Sequence, residues 1–192
     1  MKNLFAFVPV VMMALATLSL TSCDEDQIIG MELDGTWEGD MYMYSEYRGR
    51  SYRATRTVVE FNSNLSMSNG TGYWIDYYSD APWNYTASHI RWTVVDRTIR
   101  IQFVEDDYVV HIYDYSVSRR HFSGVIEGED GKTLTFSLVS TDPEDWDSYD
   151  YGGYYYNYGY SDYGYSKSAD FTRAAGQDAV SDDKPVRHIG LN

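Results

Sequence analysis

The chain has 192 residues, room for one domain of ordinary size and a tail. Hydrophobic residues make up 43% and charged residues 23%, so a packed core is within reach, while a formal charge of −14 excludes a nucleic-acid binder, which needs stripes of Lys and Arg, and docking on anionic lipid by charge alone. One Cys excludes an internal disulfide framework and a thiolate zinc site, and the 20 Tyr are the compositional outlier.

Met1-Lys2 supplies a short positive start, and Leu4 to Leu20 is an apolar run broken only by Pro9, Thr17 and Ser19. The run reads as a secretory signal; as a transmembrane helix it would sit at the short edge of the roughly 17–25 residues needed to span. Leu20-Thr21-Ser22-Cys23 resembles the lipobox of bacterial lipoproteins. That resemblance implies cleavage before Cys23, a thioether-linked diacylglycerol on Cys23 and an acylated new N-terminus, with residues 1–22 as the signal peptide and the membrane as a partner. Several acyl chains hold a protein stably where one does so marginally, at ~0.8 kcal/mol per buried CH₂. The acidic run Asp24-Glu25-Asp26 resembles the surface-export signal of Bacteroidota lipoproteins, although an Asp directly after the Cys also resembles the inner-membrane retention signal of enterobacterial ones. Residues 23–32 read as a solvated tether.

From Leu33 to Ser140 the apolar residues alternate with period two, and turn residues separate the runs. Eight strands are predicted. Thr36–Glu46 turns Trp37, Met41 and Met43 to one face. Tyr52–Phe61 points Thr57, Val59 and Phe61 inward. Leu65–Tyr77 carries Gly70 and Gly72, which suggest a bend or bulge. Ser88–Val95 and Thr98–Val104 are joined by a tight turn at Asp96-Arg97. Tyr108–Tyr115, Arg120–Glu127 and Lys132–Ser140 complete the set. Short hairpins in sequence order suit an up-and-down antiparallel barrel, which leaves no exposed edge; its interior is filled by side chains or holds one small ligand. A Greek-key β-sandwich is the alternative, with Tyr78–Ala87 as the long crossover. Gly35-Thr36-Trp37, at the entry to the first strand, resembles the opening motif of lipocalins and other calycins. The stretch 33–140 is similar to a Bacteroidota lipocalin-like surface lipoprotein, although the family's later Thr-Asp-Tyr motif and its C-terminal helix with an Arg have no counterpart. The resemblance implies that Trp37 plugs the closed end of the barrel.

Residues 141–192 differ in composition. Thr141–Tyr165 holds nine Tyr, six acids and four Gly with no Lys or Arg, a low-complexity stretch that reads as mostly disordered. Ala169–Ala175 could return as a short strand, and Gln177–Asn192 reads as a loose end.

Few residues suggest chemistry. Strand parity sends His89, His111 and His121 to solvent, and no metal is expected. No Gly-x-Ser-x-Gly elbow appears. Asp76, Asp80, Asp106 and Asp107 lie at or near turns and read as solvated charges rather than a catalytic pair. The acids at 142, 144, 145 and 147 lack the spacing of an EF-hand loop. No enzyme and no cofactor is expected. The aromatic enrichment Tyr73, Trp74, Tyr77, Tyr78, Trp83 and Tyr85 is the candidate ligand-binding site, stacking on a sugar or lining the entrance for an apolar molecule if exposed, and packing the core if buried. The expectation is a lipid-anchored envelope protein whose barrel binds a small apolar or amphipathic molecule or a glycan without catalysis. The alternative is an accessory subunit with a protein partner and a solid barrel, filled by Trp37, Trp92, Phe61, Phe103 and Phe136.

Overall fold

The computed structural model describes residues 25–151, 154–156 and 185–190. A short helix, α1, covers residues 25–33. Ten strands follow: β1 (Gly35–Asp40), β2 (Met43–Tyr47), β3 (Arg50–Arg53), β4 (Arg56–Ser63), β5 (Asn69–Tyr77), β6 (Trp83–Val95), β7 (Thr98–Phe103), β8 (Tyr108–Ser118), β9 (His121–Gly128) and β10 (Thr133–Thr141). The chain continues through a 3₁₀ turn at Trp146–Ser148 to β11 (Tyr154–Tyr156) and β12 (Val186–Ile189).

Eight strands close an antiparallel up-and-down barrel. Each of β4 to β10 pairs with the next in sequence, and β1 closes the ring by pairing with β4 on one side and β10 on the other. Closure leaves no crossover for a sandwich to use. The expected alternation holds in the wall: β7 and β9 bury every second residue, so Ile99, Ile101, Phe103, Phe122 and Ile126 look to the axis. The Asp96-Arg97 turn is tight as expected, with φ of 49° and 60° at its two central residues, the pattern whose twist matches the flanking strands.

Three features differ from the sequence-based expectation. The first predicted strand breaks after Asp40, where Asp40 Oδ1 accepts a hydrogen bond from the Tyr42 N–H at 2.7 Å and Tyr42 takes a φ of 53°. The chain leaves the wall there and forms the β2–β3 hairpin, which joins β12 in a separate three-stranded sheet over one end of the barrel. The second predicted strand breaks at Ala54-Thr55, where the chain rejoins the wall. Gly70 and Gly72 make no bulge, for the β4–β5 register runs unbroken from Arg56↔Tyr77 to Ser63↔Gly70. Their role is close approach: a Cβ on Gly72 would fall 1.8 Å from the Glu60 carbonyl oxygen.

Within the stretch 23–32 read as a solvated tether, residues from 25 onward belong to a helix, 25–33, that packs on the barrel. Its apolar side, Ile29 and Leu33 at i and i+4, seals the lower end of the barrel beside Trp37, whose indole N–H donates to the Leu33 carbonyl at 2.8 Å. The acidic start is not wholly solvated either, since Asp26 is buried and accepts the Asp96 and Arg97 backbone N–H groups at 3.2 and 3.1 Å. At the other extreme of the chain, β12 shows that 186–189 is not loose: Arg187 and Ile189 are buried. The signal sequence, Cys23 and the predicted return strand at 169–175 lie outside the described residues.

Candidate binding surfaces inside and outside the barrel

Among the described residues, large apolar side chains crowd the interior. Trp74, Trp92, Phe61, Phe103, Phe122, Phe136 and Ile90 are all fully buried. Phe122 lies at the centre of the lower half, with ring centroids 5.7 Å from Trp37, 6.2 Å from Phe61 and 4.9 Å from Phe136, all edge-to-face.

The six aromatic residues expected to form one ligand site divide between two faces, because strand side chains alternate. Trp74, Tyr78 and Trp83 point inward. Trp74 packs edge-on to Phe103 at 5.0 Å, and Trp83 is enclosed edge-on by Tyr47, Tyr52 and Tyr78 at 5.2 to 5.7 Å. Trp83 therefore closes the upper mouth instead of standing at an open one. The Tyr78 hydroxyl shares a hydrogen bond of 2.8 Å with Ser45, and burial holds its ionisation well above the ordinary tyrosine value.

The upper interior is polar. Asp76 follows Trp74 by two residues on β5, so it also points inward and is fully buried, contrary to its reading as a solvated turn charge. Its Oδ1 accepts from Thr57 Oγ1 at 2.7 Å and from Trp74 Nε1 at 2.9 Å. Its Oδ2 lies 3.1 Å from Arg187 Nε, and Arg187 Nη1 lies 3.1 Å from Asp106 Oδ2. The guanidinium also donates to Ser88 Oγ at 2.9 Å and Thr86 Oγ1 at 3.0 Å, and sits 4.5 Å above the Phe103 ring. Burial raises the Asp76 carboxyl above its usual range, and Arg187 opposes that rise. Two carboxylates thus converge, but on a cation that occupies the space between them. Beside them, a surface cleft of about 470 Å³ is lined by residues including Tyr108, Asp130, Val186 and His188.

Tyr73, Tyr77 and Tyr85 point outward, where the stretch after β10 crosses the wall. This first part of the Tyr-rich segment, residues 142–151, lies against the barrel. Trp146 stacks on Tyr73 with centroids 4.9 Å apart and planes 9° from parallel. Its indole N–H donates to Glu60, whose carboxylate also accepts from Thr36 Oγ1 at 3.1 Å and Asn62 Nδ2 at 2.8 Å. Tyr149 shares a hydrogen bond with the Tyr77 hydroxyl and donates to Glu144 Oε2 at 3.1 Å; burial and Tyr77 together hold its phenol neutral far into alkali. Tyr151 lies 5.6 Å from Tyr73 and 4.0 Å from His89, whose Nδ1 is hydrogen-bonded to Glu105 Oε1 at 2.5 Å. The result is a band of half-buried rings edged by carboxylates on the outer face of β5 and β6.

The sequence reading found Tyr73, Tyr77 and Tyr85 but missed Trp146, Tyr149, Tyr151 and Arg187. The three rings belong to a stretch read by its composition. The alternation Val186-Arg187-His188-Ile189 was the one signal for a strand at the far end. Among the described residues no group of three or more His, Cys, Asp or Glu is placed to hold a metal ion.

Comparison with curated proteins and with solved structures finds no match. Residues 33–124, from the end of α1 into β9, match the family model described as a lipocalin-like domain, so the chain is similar to that family over most of its barrel, a kind of barrel that suggests non-catalytic binding of small molecules.

Proposed function

We propose that this protein is a non-catalytic binding protein of the bacterial cell envelope, of the surface-lipoprotein type found in Bacteroidota, held to the membrane by lipid on Cys23 and binding glycan on the aromatic band outside its barrel. The observation that carries the reading is the division of the aromatic cluster. The inward rings are consumed in packing, whereas Tyr73, Tyr77 and Tyr85 join Trp146, Tyr149 and Tyr151 in a half-exposed surface. Such rings offer flat apolar faces to the C–H groups of a sugar, while neighbouring carboxylates such as Glu105 and Glu144 accept from its hydroxyls. The lipobox-like Leu20-Thr21-Ser22-Cys23 supports the anchor.

The test is a glycan array probed with the full chain, followed by titration of the best ligand into Tyr73→Ala and Trp146→Ala variants. Binding should fall by about tenfold in each, the equivalent of ~1.4 kcal/mol. If no glycan binds and native mass spectrometry instead shows an apolar molecule copurifying, the site is inside the barrel and this reading fails. The large side chains buried inside the barrel also favour a second reading, an accessory subunit that uses the same band to dock a protein. Capture of a protein partner that Tyr73→Ala releases, with no glycan bound, would select it.

A further inference from the structure

The large apolar side chains that the barrel leaves in water are not spread evenly. Of the eight that stand out among the described residues, five lie at the lower end: Ile28 and Met31 on α1, Leu65 and Met67 in the β4–β5 loop, and Val95 at the β6–β7 turn. Leu65 is fully exposed, and Ile28 and Met31 are each 56% exposed on the side of α1 turned away from Ile29 and Leu33. Close packing and hydrogen bonds hold these three elements together. A Cβ on Gly30 would fall 1.5 Å from the Met67 carbonyl oxygen, Ser63 Oγ donates to the Gly30 carbonyl at 3.0 Å, Val94 N–H donates to the Ser68 carbonyl at 2.7 Å, and Asp26 binds the β6–β7 turn. The exposed side chains thus belong to one rigid foot. Apolar groups collected on one face mark a contact surface.

The chain itself says what covers that face. Cys23 lies two residues before the first residue of α1, and two residues reach at most about 7 Å. Any lipid joined to Cys23 is thereby tethered to the start of α1, the helix that carries Ile28 and Met31. We infer that the foot of the barrel rests directly on the bilayer, with Ile28, Met31, Leu65, Met67 and Val95 dipping into the lipid interface. The inference rests on the lipid anchor proposed above. Charge identifies the lipid. The foot carries Glu25, Asp26, Glu32, Asp34 and Asp96 against Arg97, Arg119 and Arg120, and Arg97 is already paired with Glu25 at 3.3 Å. Attraction to anionic headgroups is weak for such a surface, so the partner is a zwitterionic lipid surface entered by apolar side chains.

The experiment uses the full chain, processed in a bacterial host and reconstituted in phosphatidylcholine vesicles that contain brominated lipid. An environment-sensitive fluorophore is placed on Ser66→Cys at the foot or on Ser51→Cys on β3 at the far end. The mass of the N-terminal peptide reads acylation of Cys23 independently. Quenching at Ser66 should exceed that at Ser51 by about threefold, should not change with salt, and should fall to the Ser51 level when Ile28→Asp and Leu65→Asp are added while Cys23 stays acylated. Equal quenching at the two sites in an acylated chain overturns the inference, as does crosslinking that shows the foot covered by a second copy or another protein. An unacylated Cys23 defeats the anchor alone. In that event the Ser66 label on a Cys23→Ala chain decides the docking: quenching by the same vesicles sustains it, and no quenching ends it.

Discussion

The two ends of the barrel are closed by different physics. Below, α1 and Trp37 stop the ring with apolar surface, and the nearby core is an edge-to-face set of Phe61, Phe122 and Phe136. Above, the ring cluster around Trp83 shares the closure with an ionic part, Arg187, carried in by β12 and held by Asp76 and Asp106 over Phe103. An apolar plug is non-directional, and its worth scales with the area removed from water. An ionic plug must recover the desolvation of three charges through geometry, so it contributes little net stability while it is intact and costs much when half of it is removed. The contrast teaches that the lower end is closed by apolar burial alone, whereas the polar part of the upper closure depends on a far segment of the chain supplying the right side chain.

Four measurements can break or sharpen this comparison. The largest effect is expected below. Phe122→Ala should cost about 4 kcal/mol in urea unfolding, because a buried ring with aromatic neighbours on several sides leaves a cavity that cannot collapse. Next, Arg187→Met should cost about 3 kcal/mol by stranding Asp76, and adding Asp76→Asn should return more than half of that loss. A neutral Arg187→Met would mean that the upper closure is not ionic. The same carboxyl gives a pH dependence. Its native pKa is raised above 3.8, chiefly by burial, so above that value the native state holds the proton longer than the unfolded state. Stability from this group is complete at lower pH and is lost as pH rises through its native pKa, and Asp76→Asn should remove that slope.

A third measurement compares the two ends directly. Tyr108 above and Tyr115 below both have pKa values pushed up to about 12, with burial as the largest cause. Unfolded tyrosine ionises at about 10, so stability should fall between about pH 10 and 12 as the unfolded state releases these protons first. Phenolate absorbance should show late titration that Tyr108→Phe and Tyr115→Phe each diminish. The smallest effect is expected for Arg53→Ala, which removes an ion pair with Asp40 in which both partners are well exposed. A loss under about 1 kcal/mol, shrinking with added salt, fits its solvation. A larger loss would show that the β2–β3 cap is held by its rim.

Much of the barrel was legible because alternation is a local signal: Ile99, Ile101 and Phe103 announce their common face without reference to any other strand. The Asp96-Arg97 turn was legible for the same reason. The β2–β3 excursion was not, since Thr36–Glu46 alternates straight through the break, which depends on an Asp40 side chain folding onto its own backbone. In the candidate site, the residue types of Tyr73–Tyr85 were visible at once, but not their division between two environments. The outer half acquired its partners from Trp146–Tyr151, a stretch whose Tyr and Asp content, taken alone, cannot offset the entropy of ordering and which gains order only against a wall already formed.

By itself, then, the sequence determined the all-β class, the meander order and the inward row from Trp37 to Leu138, because each follows from hydrophobic period and turn chemistry within a few residues. Only the tertiary structure decided that Asp76 is buried, that Arg187 is its counterion and that α1 floors the ring. The Arg187 guanidinium bonds to Ser88, 99 positions away in the chain, and a pairing at such separation leaves no periodic trace in either segment. It exists because the folded wall buries Asp76, Thr86 and Ser88 close together, where a cation from a distant segment meets all three.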